Sequence, residues 1–338
     1  MKKLIFAALV TLASCAKELE IPVPVDYDGS QVSVSFVAEP NVLQTRAFFD
    51  NSTSTETWEK SLSSLSVYVF NSSGSLLVQR KFTSAELSNK KASFALPRSA
   101  AGTTCKFYAV ANRTLPEIAT EAVIKGILDE EPAAYNGTFA EVTTKAKRAN
   151  GFVMSGVVSK AVGAVNTITD VPITLKRTVA KIAVQTTLSA DFSSRYSGKV
   201  RINTTTISRA AGSTSLIPPA GVSMATPFSH TQTASEVLSA FNNLYYIYEN
   251  GTLAAGSRVL LTLEGTYDRD GNFSTTGDQI PITYTCEING TSNNGSMIRN
   301  GYYRVSVSIT GLMGQDVNAN VTVADWEAPV TQSINLGQ

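Results

Sequence analysis

Few residues in this sequence are of types that do chemistry, and their spacing argues against most reactions. His230, in TPFSHTQTA, is the only histidine. A nucleophile–histidine–acid arrangement needs a hydroxyl or thiol presented to it, and no GxSxG elbow occurs anywhere in the chain. His230 therefore reads as a surface residue in a polar loop. No CxxC, HExxH or paired-histidine spacing offers a metal site. YDRDGNFSTTGDQ begins like a calcium loop, with Asp268, Asp270 and Asn272. Phe273 then stands where the loop needs glycine, and Gln279 where it needs a bidentate glutamate. Asp-Gly between apolar runs instead predicts a plain hairpin. Glu130 and Glu131 have no partner arrangement and read as a solvated surface. No glycine-rich loop leads from a strand into a helix to hold a phosphate. The sequence supports neither an enzyme nor a cofactor or metal.

The cysteines carry a different message. Lys2 and Lys3 precede the apolar run IFAALVTLA, too short to cross a bilayer of about 30 Å and therefore read as a secretory signal over 1–14. The run ends in LASC, which resembles the lipobox of bacterial lipoproteins, with small residues before a cysteine that is acylated and becomes the new amino-terminus. Acylation of Cys15, at about 0.8 kcal/mol per buried methylene, tethers the chain to a membrane. Cys105 and Cys286 are far apart in sequence: an oxidising compartment would allow them to pair, but two thiols with no short spacing read more readily as separate buried residues.

The remaining elements are strands. In 338 residues, hydrophobic types make up 43% and charged types 16%, with a formal net charge of +1. That balance describes an ordered chain long enough for two cores, with no basic field for nucleic acid. SLSVYVF, LLVQRKF, KASFALP, CKFYAVAN, GFVMSGVVS and TDVPITLKRTVAKIAVQTTL alternate or run apolar between polar turns. The pattern restarts with GKVRINTTTISR, NLYYIYEN, SRVLLTLEGTYDRDGN, QIPITYTCEI, YYRVSVSITG and ANVTVADWE. Two antiparallel β-sandwiches divided near 171–178 are expected. LPEIATEAVIKGILDE (115–130) predicts one helix across a sheet, and SEVLSAFNN (235–243) a second short one. AKELEIPVPVDYDG, after Cys15, suits an extended tether.

One stretch, VSVSFVAEPNVLQTRAFFD (32–50), places Val32, Val34 and Phe36 on one parity of a strand, breaks at Pro40, and sets Arg46 before Ala47. VYVFNSSGSL (67–76), GFVMSG (151–156), ITLKRTVAKIAV (173–184), YYIYEN (245–250), NGYYRVSVSITG (300–311) and VTVADWE (321–327) together resemble, in order, the FimA/Mfa-type fimbrillins, lipoprotein-derived subunits of type V pili. The resemblance implies an all-β fold of two tandem transthyretin-like antiparallel β-sandwiches. It implies a lipidated propeptide (15–46) carrying a removable first strand, then sandwiches over 47–176 and 177–338. It further implies export to the outer membrane as a lipoprotein and cleavage after Arg46 by an arginine-specific, trypsin-like protease. The vacated groove is then filled by a donor strand from another copy, within about 320–338, in a cell-surface fimbrium completed by minor tip and anchor subunits.

The physics of that scheme is simple. A sandwich missing one strand exposes apolar positions and unpaired backbone, which another strand can capture. APVTQSINLGQ offers Val330, Ile334 and Leu336 on one parity, interrupted by Gln332, as a replacement for Val32, Val34 and Phe36. Donor and groove are different surfaces, so the contact propagates into a fibre. A chain with both parts is expected in the shaft. The competing expectations are a tip or anchor subunit, and a monomeric surface lipoprotein binding a glycan through loops. The only tryptophans, Trp58 and Trp326, read as packing residues rather than sugar platforms.

Overall fold

The structure, a computed structural model, describes residues 29–38, 56–218, 221–238, 240–312, 317–325 and 329–331. Cys15, Arg46, Ala47, Trp326, Ile334 and Leu336 lie outside the described residues.

The amino-terminal half contributes β1 (Gln31–Ala38), β2 (Leu65–Phe70), β3 (Leu76–Lys81), β4 (Lys91–Ala95), β5 (Thr104–Ala111), β6 (Leu128–Asp129), β7 (Met154–Ala161) and β8 (Ile168–Arg177). Seven of these form one sheet in the order β3-β2-β5-β7-β8-β1-β4. It is continuous only nominally, because β7 and β8 pair solely at Met154↔Arg177 and Ser155↔Lys176. Beyond that point β8 turns away and pairs with β1. Gly156 permits the crossing, since a Cβ there would meet the Thr174 carbonyl oxygen at 2.2 Å. The sheet thereby folds on itself, and Val32, Val34, Phe36, Val171, Ile173 and Leu175 share one apolar core with Val67, Val69, Phe107 and Ala109.

The carboxy-terminal half contributes β9 (Val179–Leu188), β10 (Lys199–Ala210), β11 (Ser213–Ser215), β12 (Val222–Ser223), β13 (Phe228–Val237), β14 (Phe241–Tyr248), β15 (Leu260–Asp268), β16 (Gln279–Glu287), β17 (Gly301–Ile309), β18 (Val317–Asp325) and β19 (Pro329–Thr331). A four-stranded sheet, β13-β10-β15-β16, packs on a five-stranded one, β14-β9-β17-β18-β19. Ile182, Tyr245, Ile247, Val305 and Val307 face the core they share with Ile202, Leu261, Leu263 and Tyr284. On the opposite parity, Val179, Ala183, Leu244, Tyr246, Tyr248 and Tyr302 join the amino-terminal core. Buried on both faces, these strands read as near-continuous apolar runs such as KIAV and LYYIY. A small sheet, β12-β11-β6, stitches the halves together through Thr214↔Asp129 and Ser215↔Leu128.

Two predicted helices are corrected. Within 115–130, only Glu121–Lys125 is helical: Thr120 accepts from the Val123 amide as N-cap, Gly126 ends the turn, and Leu128 passes into β6. Two small elements and a cap had blended into one apparent period. In 235–243, β13 runs to Val237 and β14 begins at Phe241, so the segment is a strand-to-strand connection.

Candidate functional site: the strand-filled groove

β1 lies between two strands. It runs parallel to β8 from Gln31↔Ile168 to Ala38↔Leu175 and antiparallel to β4 from Gln31↔Ala95 to Ser35↔Lys91. Alternation sends Val32 and Val34, each 0% exposed, and Phe36 into the core, where the Phe36 ring meets Phe82 edge-on at 5.6 Å. Three such side chains contribute about 1.5–3 kcal/mol each by burial. The fourth inward position is polar: Ser30 is fully buried, and its hydroxyl donates to the Gly163 carbonyl at 2.9 Å. Gly29 enters the groove against the Leu96 carbonyl, where a Cβ would stand 1.9 Å away. Among the described residues β4 pairs with no strand but β1.

After the segment 39–55, which contains Arg46, the described chain resumes in a single 3-10 turn, Thr57–Lys60. That turn is pinned between the halves. Glu59 is 0% exposed; its Oε1 accepts from Lys181 Nζ at 2.8 Å and from the Tyr246 hydroxyl at 2.9 Å, and its Oε2 accepts from the Glu56 amide. Arg177 Nε donates to the Glu59 carbonyl at 2.9 Å, and its guanidinium also reaches Asn300. Burial lowers the Lys181 ammonium below its ordinary pKa, with Glu59 opposing that shift, and burial raises the Tyr246 hydroxyl well above its own. Beside this network Trp58 stacks on Phe152 at 6.0 Å, and Phe152 packs against Tyr246 at 4.8 Å. Trp58 is thus packed into the junction, as expected of a core aromatic. The ion network was missed in sequence, although a lysine within the apolar run VAKIAV was a signal for a buried partner.

The tail begins on its own half. Val330 lies in β19, opposite Val323 of β18. Cys105 and Cys286 are both free and buried; burial raises the Cys105 thiol pKa and pushes that of Cys286 up to about 12, so both stay protonated at neutral pH. Asp268, Asp270 and Asp278 converge within 4.8 Å at the β15–β16 hairpin. There Asp268 and Asp270 accept from the Asn272 amide, and Asp278 from the Asp270 amide. His230 departs from expectation: it sits in β13, partly buried, with Nε2 2.9 Å from the Gly137 carbonyl of the other half. Gln232 donates to the same oxygen at 3.0 Å, so this strand reads as a contact between halves rather than a polar loop.

Fold and groove define a class: an all-β protein of two packed sandwiches, one of which depends on its first strand for closure. Residues 30–189 match the family described as Major fimbrial subunit protein (FimA). Its structure is similar to that of a fimbrilin (FimA) from Porphyromonas gingivalis, at 13% identity over 92% of this chain and 99% of that one, with a TM-score of 0.56. It is similar to the tip fimbrial protein Mfa3 of the same organism, with C-terminal truncation, at 16% identity over 88% and 100%, TM-score 0.51. A candidate cell adhesion protein from Bacteroides eggerthii gives 14% identity over 90% and 98%, TM-score 0.58. No curated protein sequence is detectably similar to the chain.

Proposed function

We propose that this chain is a fimbrial shaft subunit, exported as a lipoprotein on Cys15, cut after Arg46, and polymerised when the tail of another copy replaces β1. The observation that carries the reading is the position of β1: it lies between β8 and β4 in its sheet, and the chain that follows it runs through Arg46 before the next described residue, Glu56. A cut after Arg46 separates β1 from every other described strand. The partners are further copies of the chain, minor tip and anchor subunits, an arginine-specific protease, and, before cleavage, the membrane.

Amino-terminal sequencing of surface material tests the reading. Ala47 is expected first in assembled subunits and Cys15 in an Arg46→Ala strain, which should accumulate lipidated monomers. A persistent acylated Cys15 on every surface copy would sink the shaft assignment. Deleting 328–338 should leave cleavage intact and abolish polymer; ladders that survive the deletion would refute the donor role.

The groove also suggests a register. Gln332 interrupts the tail's apolar parity between Val330 and Ile334, and Ser30 is a polar inward position of the groove. A tail running parallel to β8 with Gln332 in place of Ser30 puts Ile334 and Leu336 where Val32 and Val34 lie. In that register Gln338 falls at the Phe36 slot; in the reverse direction, with Leu336 at the Val34 slot and Ile334 at the Phe36 slot, it falls at the Val32 slot. Since Ser33 pairs with Asp170 and Ser35 with Pro172, Asn335→Cys should cross-link to Asp170→Cys of the next subunit and not to Pro172→Cys.

A further inference from the structure

A crevice of about 360 Å³ opens where the halves meet, between the end of β6 and the loops around β11 and β12. Glu130 and Pro132 line it from the amino-terminal half; Ser213, Ser223, Thr226 and Phe228 line it from the other. Neither half contains the site alone. Its walls are pinned from behind. Asp129, next to Glu130, accepts from the Tyr135 hydroxyl at 2.6 Å and from Thr178 at 2.9 Å, while the Glu131 amide donates to the Tyr248 hydroxyl. Thr214, next to Ser213, donates to Glu249, which Arg299 also holds. Gly212 lets the loop close, because a Cβ there would meet the Thr226 carbonyl at 2.0 Å.

Polar groups line this preformed space: Ser213, only 7% exposed, and Glu130 and Thr226, both exposed to solvent. Phe228 supplies a ring, held parallel to His230 with centroids 6.4 Å apart, and Pro132 and Pro227 add apolar edges. No lysine, arginine or histidine lines the crevice, so nothing in it compensates an anion.

We propose that this crevice binds a neutral hexose or N-acetylhexosamine unit of a glycan. The chemistry matches part for part. A carboxylate accepts from adjacent sugar hydroxyls, serine and threonine hydroxyls exchange hydrogen bonds with the others, and an aromatic ring covers the apolar C–H face of a pyranose. The volume falls in the range of small-molecule sites, about 300–1,000 Å³, and the position between packed units is where such sites concentrate. The inference is independent of strand exchange: the strands bordering the crevice belong to sheets that do not contain β1, and the crevice is present in the uncleaved chain.

Saturation-transfer NMR on the intact chain tests it, using methyl glycosides of glucose, galactose, mannose and N-acetylglucosamine, with sialic acid and Nα-acetyl-lysine methylamide as charged comparisons. At least one neutral glycoside should receive saturation, with Kd of order 1–10 mM as expected for one small ring. Glu130→Gln, at an exposed position that leaves the fold intact, should weaken that signal at least about tenfold, the size of one lost charge-assisted contact. Phe228→Ala should abolish it. Absence of transfer from all four glycosides, transfer unchanged in Glu130→Gln, or stronger transfer to the lysine probe each overturns the proposal, the last by assigning the crevice to a basic peptide side chain.

Discussion

Val34→Asp should leave the uncleaved chain unable to hold its amino-terminal core. Val34 is fully buried, flanked by Ala92 of β4 and Val171 of β8, so a carboxylate there has apolar neighbours and no cation. Placing an unpaired charge in such a site costs about 4–5 kcal/mol or more, which is most of the stability of an ordinary domain. Phe36→Ala, which removes the ring packed on Phe82, should cost about 3–5 kcal/mol. Urea unfolding of the intact chain measures both. The comparison with a chain starting at Ala47 is decisive. That chain lacks β1 and should bind a peptide carrying residues 329–338 while ignoring a peptide of residues 30–38 with Asp at position 34. If Val34→Asp melts with the unmodified chain, β1 is not a structural part of the sheet, and the removable-strand reading falls with it.

The second large effect is expected at Glu59. Glu59→Ala strands the Lys181 ammonium in a fully buried position, with the Arg177 guanidinium also nearby and positive, and should cost about 3–5 kcal/mol. Replacing both members, as Glu59→Leu with Lys181→Met, should recover most of the loss, because two desolvated charges are removed together. Calorimetry on the unmodified chain, Glu59→Leu, Lys181→Met and the double replacement gives the coupling. Hydrogen exchange gives its location: in Glu59→Ala, amides of 56–60 and of the facing β9 and β14 should lose protection together. Unchanged exchange in β14 would show that Tyr246 and the turn at Thr57–Lys60 are not coupled through this carboxylate. In the proposed processed chain, loss of residues through Arg46 would take away β1, whereas the turn at Thr57–Lys60 is held to both halves by this network.

What the sequence disclosed and what it hid divide along physical lines. Alternation in VSVSF, SLSVYVF and YYRVSVSI places strands because the period of two is a local property of half-buried sheet, and β1, β2 and β17 lie where those patterns stand. TLKRTVAKIAV was one long run in sequence; the chain breaks it at Thr178, whose hydroxyl reaches Asp129. The junction between halves was not legible, since its members come from remote positions: Glu59 meets Lys181 and Tyr246, Asn136 meets the Tyr246 backbone, and His230 meets Gly137. Isolated polar residues look like surface in a sequence, and only three-dimensional pairing shows that they are satisfied inside. The groove was half legible. The parity of Val32, Val34 and Phe36 predicted an inward face, whereas the partners β8 and β4, parallel on one side and antiparallel on the other, depend on contacts more than a hundred residues away on one side.

The dependence of β4 on β1 governs how a replacement can occur. Among the described residues β4 is joined to its sheet through β1 alone, and β8 without β1 keeps only its last two residues in register with β7. An empty groove would therefore be a seam along which the layer parts, with both lips carrying unpaired amides and carbonyls, and its transient formation would expose the core to water and to indiscriminate strand capture. The low-barrier route is a zipper in which each incoming residue takes up hydrogen bonds as the outgoing one releases them, so the seam never opens over its full length. Joining would then be slow, would depend on the intruding strand gaining a foothold at one end of the groove, and once complete would be as slow to reverse.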